Sequence, residues 1–65
     1  MKINETWLVQ YKNYDYDSYT GIVTIIRYIE EESLYECRLD YPKCSNQLTA
    51  QFERGDFLVK VTVNI

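Results

Sequence analysis

Few side chains in this chain could carry out a reaction or hold an ion, and they fall into three groups. Asp15, Asp17 and Ser18 are closely spaced, Cys37 and Cys44 lie seven apart, and Arg54-Gly55-Asp56 forms a compact charged tripeptide. Asp15-x-Asp17-Ser18 opens like a calcium loop, but an EF-hand then needs glycine at its sixth position and glutamate at its twelfth. Counted from Asp15, those positions hold Thr20 and Ile26. The segment therefore reads as a solvated turn. As an acid–base pair, the same two carboxylates would need a closed, dry pocket to split their pKa values. A chain of 65 residues offers little room for one.

The remaining chemistry is sparse. There is no histidine to titrate near neutral pH, and no Ser or Cys stands beside a recognisable base. The only glycines are Gly21 and Gly55, so no phosphate cradle can form. Two cysteines without histidine cannot complete a four-ligand zinc site from nitrogen and sulfur. They are expected to be free thiols, as a cytoplasmic compartment favours. Arg54-Gly55-Asp56 matches a tripeptide presented by some adhesion ligands, but a turn already accounts for glycine there. The expectation is a protein that is not an enzyme, with no catalytic residues, no cofactor and no metal.

Charge and aromatic content point to binding. Residues 13–36 hold Asp15, Asp17, Glu30, Glu31, Glu32 and Glu36 against Arg27 alone, whereas the rest of the chain is mildly basic. No positive stripe is available to track phosphates, so direct nucleic-acid binding is not expected. Tyr14, Tyr16 and Tyr19 interleave with the two aspartates, and tyrosine offers broad amphipathic contact at low rotamer cost. The expected partner-binding residues are Tyr14, Asp15, Tyr16, Asp17, Tyr19, Glu30, Glu31, Glu32 and Glu36.

The elements that must position these residues are strands. Ile3 to Lys12 alternates apolar with polar, Tyr19 to Ile29 is a β-branched run apolar in both phases, and Tyr35 to Tyr41 alternates cleanly until Pro42 stops it. Leu48, Ala50 and Phe52 share one phase. Glu53-Arg54-Gly55 suits a three-residue hairpin turn with glycine left-handed, and Phe57 to Ile65 alternates to the last residue. The spacing predicts one all-β domain over residues 1–65 with no significant helix. It would be a small five-stranded antiparallel sheet or an SH3-like or OB-like barrel.

Tyr14-Asp15-Tyr16 resembles the aromatic and acidic first loop of the SH3 family, a likeness that covers those residues alone and implies a small peptide-binding barrel. The family's tryptophan pair and proline-groove pattern are missing, and the lone Trp7 lies in another strand. With no apolar leader and no run of roughly 18 apolar residues, the chain is expected to be soluble and cytoplasmic, with no membrane contact. In size and charge it is similar to the small acidic inhibitors made by phages and mobile elements. The expected function is a non-catalytic protein-binding module that blocks a basic surface, such as a nucleic-acid-binding groove, on a larger host enzyme or defence protein. The alternative is a structural subunit that uses its apolar strands to homo-oligomerise or complete a larger complex. In either case the two-faced strand and the apolar final strand lead us to expect a homodimer.

Overall fold

The computed structural model describes residues 1–12, 18–42 and 46–62, and only the backbone at 11, 12, 18 and 19. It is all-β. Five antiparallel strands, β1 (Thr6–Lys12), β2 (Ser18–Ile29), β3 (Leu34–Tyr41), β4 (Thr49–Phe52) and β5 (Phe57–Lys60), form one sheet in the order β4-β3-β2-β1-β5. The sheet is not a closed barrel. Its two edge strands, β4 and β5, are consecutive in the chain and joined only by a short 3-10 turn, Arg54–Asp56. A sheet whose edges are joined so briefly must curl, and the concave face becomes the core.

That core consists of Val9, Val23, Ile25, Cys37, Leu39, Phe52 and Phe57, with Trp7, Tyr35 and Ala50 packed against it. Most of it follows from alternation. Val9 faces inward from β1, Val23 and Ile25 from β2, and Cys37 and Leu39 from β3. Phe57 gathers the aromatic part, with its ring edge-on to Trp7 at 5.9 Å, Tyr35 at 5.4 Å and Phe52 at 6.1 Å. Arrangements of this kind are favoured by the ring quadrupole beyond the area they bury.

Simple alternation fails at three places, each an extra residue in one strand. On β2, Ile25 pairs with Cys37 but Arg27 pairs with Glu36, so Ile26 has no opposite number. On β3, Leu39 pairs with Val23 and Tyr41 with Ile22, which leaves Asp40 over. On β5, Phe57 pairs with Val9 and Val59 with Leu8, which leaves Leu58 over. A bulge inverts every later side chain in its strand and strengthens the local twist. Tyr28 is thereby brought to the side of Val23 and Ile25. Tyr41 and Val59 are sent to the outer face, where they are 68% and 59% exposed.

The chain ends and connections also depart from expectation. Ile3 is exposed and β1 begins only at Thr6, because Asn4 takes a left-handed conformation with φ of 73°. Leu48 precedes β4 and is 78% exposed instead of sharing the burial of Phe52. Residues 53–55 do not make a hairpin, since β4 and β5 lie on opposite edges, and Gly55 has no positive φ. The 3-10 turn is instead closed by Asp56, whose backbone N–H donates to the Glu53 carbonyl at 3.0 Å. Its carboxylate accepts from the Glu53 N–H at 3.0 Å. β5 stops at Lys60, and residues 63–65 of the expected final strand lie outside the described residues.

Candidate functional site

The acidic residues are placed by β2, which runs for 12 residues and is shared by two hairpins. At one end Lys12 pairs with Ser18 and Tyr11 with Tyr19. The expected binding residues Tyr14, Asp15, Tyr16 and Asp17 lie outside the described residues, and of Tyr19 only the backbone position in β2 is defined. At the other end Ile29 pairs with Leu34, and Glu30 to Ser33 turns the chain. A strand of this length separates its ends by roughly 35 Å. Of the expected binding residues, Glu30, Glu31 and Glu32 thus lie about a strand's length from the backbone of Tyr19.

The described site is the β2–β3 turn. The Glu32 N–H donates to the Ile29 carbonyl at 3.2 Å and the Ser33 N–H to the Glu30 carbonyl at 3.3 Å. Ser33, with φ of 55°, sits in the left-handed region and redirects the chain into β3. Such tight backbone bonding holds Glu30, Glu31 and Glu32 side by side, all exposed. Among the described residues none of the three makes a side-chain hydrogen bond or ion pair. Glu36 differs from them. Its carboxylate accepts from Arg27 Nε at 2.8 Å, and that contact, reinforced by Glu31 and Glu32, raises the Arg27 pKa above its ordinary value. Glu36 is therefore neutralised within the chain, and the charge displayed at this end comes from the turn.

An aromatic pair adjoins the turn. Tyr28 stands opposite Tyr35, with ring centroids 4.7 Å apart and planes tilted by 49°. Tyr28 is 47% exposed, while Tyr35 is half-buried against Phe57. A line of rings, Tyr28, Tyr35, Phe57 and Trp7, thus runs from this surface through the core to the far lip, where the Arg54 guanidinium lies 5.6 Å from the Trp7 ring centre. Sequence reasoning had not grouped Tyr28 and Tyr35 with the glutamates. The signal was present in the numbering, since a turn over residues 30–33 places 29 opposite 34 and 28 opposite 35.

Near Trp7, Glu5 organises a small polar cluster. Its carboxylate accepts from Lys60 Nζ at 2.8 Å, from the Lys2 N–H at 2.7 Å and from the Trp7 indole at 3.3 Å. The Lys60 bond, followed by that of Lys2, holds its pKa down to about 2. Every charge is satisfied locally, so the cluster fixes the start of β1 to β5. Cys37 is buried beneath the sheet with its thiol free and 3.7 Å from the Tyr35 carbonyl, and burial, then Glu36, pushes its pKa up to about 12. A thiol held neutral in this way is a packing group.

Among the described residues there is no group of three or more carboxylates and cysteines able to hold a metal ion. None of their helices is long and apolar enough to cross a membrane. No family model, curated protein or solved structure matches this chain.

Proposed function

We propose that this chain is a non-catalytic protein-binding module that docks its β2–β3 turn on a basic surface of a larger protein. The observation that supports this is the turn itself: three adjacent exposed glutamates that form no ion pair among the described residues, beside a tyrosine half-open to solvent. Charge of one sign raises the rate of encounter with an oppositely charged surface, and an aromatic anchor slows departure. A small acidic inhibitor or regulator would work in this way, covering a surface such as a nucleic-acid-binding groove on a host enzyme or defence protein. The tyrosine and aspartate segment, residues 14–17, would supply further contacts to the same partner.

The test is capture of partners from a host lysate on the immobilised chain, followed by binding kinetics with the protein identified. Replacing Glu30, Glu31 and Glu32 together by Gln should slow association about tenfold or more at about 50 mM salt and matter little at about 500 mM. Tyr28→Ala should speed dissociation. Association that is unchanged by the glutamine triple variant at low salt would refute the reading.

A further inference from the structure

The outer, convex face of the sheet carries a continuous apolar row. The register aligns Val59 of β5 with Leu8 of β1, Leu8 with Ile22 of β2, and Ile22 with Tyr41 of β3, so these four side chains cross four strands on the face opposite the core. Two bulges create it. Without the extra residues Asp40 and Leu58, Tyr41 and Val59 would point into the core and the row would shrink to its two middle members.

Among the described residues, the charged groups on this face are paired with one another. Next to the apolar row lies a polar one, in which Thr6 pairs with Thr24, Thr24 with Arg38 and Arg38 with Thr49. Arg38 Nε donates to Asp40 at 2.7 Å, the Thr24 hydroxyl donates to the same carboxylate, and the Thr6 and Thr24 hydroxyls meet at 3.3 Å. Further along, Arg27 and Glu36 form their own pair. Among the described side chains this face carries no unbalanced charge, in a chain whose net charge is −3.

We infer that this face is a self-association surface and that its occupant is a second copy of the same chain. Two molecules of net charge −3 repel wherever their acidic parts meet, and a neutral face is where they can approach. A two-fold contact sets the same patch against itself, so apolar row meets apolar row and internally paired charges meet the same. A partner chosen by charge would find nothing to steer it here. A stable interface takes about 800 Å² from each partner, roughly a sixth of this chain's 5134 Å² surface. A convex face with a four-residue row falls towards the small end of that class. The dimer should therefore be a weak one, dissociating in the micromolar range. This surface is separate from the glutamate turn, and the inference does not rest on the function proposed for that turn.

Sedimentation equilibrium of the full chain from about 5 to 500 μM tests it. The expected result is a mass rising with concentration from 7.8 kDa towards twice that value, undiminished by added salt. Val59→Glu should raise the dissociation constant about thirtyfold or more while leaving the circular dichroism unchanged. Leu8→Thr, which shortens the apolar side chain but introduces a β-branched residue suited to a strand, should weaken the dimer in the same sense and serves if the glutamate variant fails to fold. Leu48→Glu, off the row, and the Gln triple variant at 30–32 should not weaken it. A monomer at every concentration, or a dimer indifferent to both row variants, would overturn the inference. So would a dimer broken by Leu48→Glu, or a monomer that uses Val59 only to hold a different protein.

Discussion

Phe52 closes β4 at one edge of the sheet and Phe57 opens β5 at the other, yet their rings meet edge to face at 6.1 Å. The contact joins two edges that share no ladder of backbone hydrogen bonds, so the curl of the sheet rests on side chains at this point. Phe57→Ala should cost about 3–5 kcal/mol, because both the ring and its three aromatic neighbours lose their packing. For a domain this small, that approaches the whole of its stability. Urea unfolding would register the loss, with Leu48→Ala as a near-neutral comparison. A cost below about 1 kcal/mol would mean that the edges are held by something else.

Ile26 is the surplus residue in the β2–β3 ladder, and deletions should reveal it. Removing Ile26 brings Ile25 and Arg27 into a regular register with Cys37 and Glu36, and every other side chain keeps its face. Removing Thr24 instead would reverse one half of β2 against the other. The first deletion should fold with a loss of about 1–2 kcal/mol and the second should not fold, as judged by circular dichroism and cooperative thermal unfolding. Equal tolerance of the two would argue against the bulge.

The Glu5 cluster predicts how stability depends on acid. The folded carboxyl pKa is held down to about 2, below the ordinary 4.5. The stabilisation is therefore complete above the unfolded value and is lost as pH falls through the window from 4.5 towards 2. Glu5→Gln should flatten that part of the stability curve while leaving its neutral arm parallel to the parent's. Denaturant midpoints at closely spaced acid pH values provide the measurement, and an unchanged acid slope in the variant would count against the assignment.

Cys37 sets the alkaline counterpart. Burial raises its folded pKa from 9.0 to about 12, so its contribution is intact below 9.0 and disappears as pH rises through 12. In the native chain this thiol should resist alkylation at neutral pH and react only on unfolding. Cys37→Ala should remove that reactivity at a cost of about 1 kcal/mol. Mass spectrometry after a brief native exposure to iodoacetamide, with the modified cysteine assigned by peptide mapping, gives a direct reading. Rapid native labelling at Cys37 would contradict its burial.

Strand identity was legible because alternation is a local property. Val9, Cys37 and Leu39 could be placed in the core from spacing alone, and Pro42 stops β3 as its missing N–H requires. Facing was lost beyond each bulge. Ile26, Asp40 and Leu58 are ordinary residues whose surplus status is decided by the partner strand, so nothing in their own neighbourhood announces it. The connection at 53–56 failed for a related reason. Glu-Arg-Gly-Asp suits a hairpin turn and a 3-10 turn alike, and only the free edge of β1, distant in sequence, decides that β5 crosses over. For the site, the glutamate turn was visible as a charge run, whereas the neighbouring Tyr28–Tyr35 pair depended on knowing the β2–β3 register.

The strand order also fixes a sequence of events in time. Pairings of β1 with β2, β2 with β3 and β3 with β4 are all between neighbours in the chain, but β5 must find β1 across almost its full length. The entropy of closing that loop is lost before any contact compensates it, so β5 should dock last, after the four-stranded meander has formed. Until then Phe57 is absent and the rings of Phe52, Tyr35 and Trp7 have no common centre. The meander should accordingly exist as a loosely packed intermediate or transition-state ensemble, with φ-values high around the β2–β3 turn and near zero in β5. Uniformly high φ-values in β5 would reverse that order. In the native protein the same strand should be the first to open, and its amides the first to exchange with solvent.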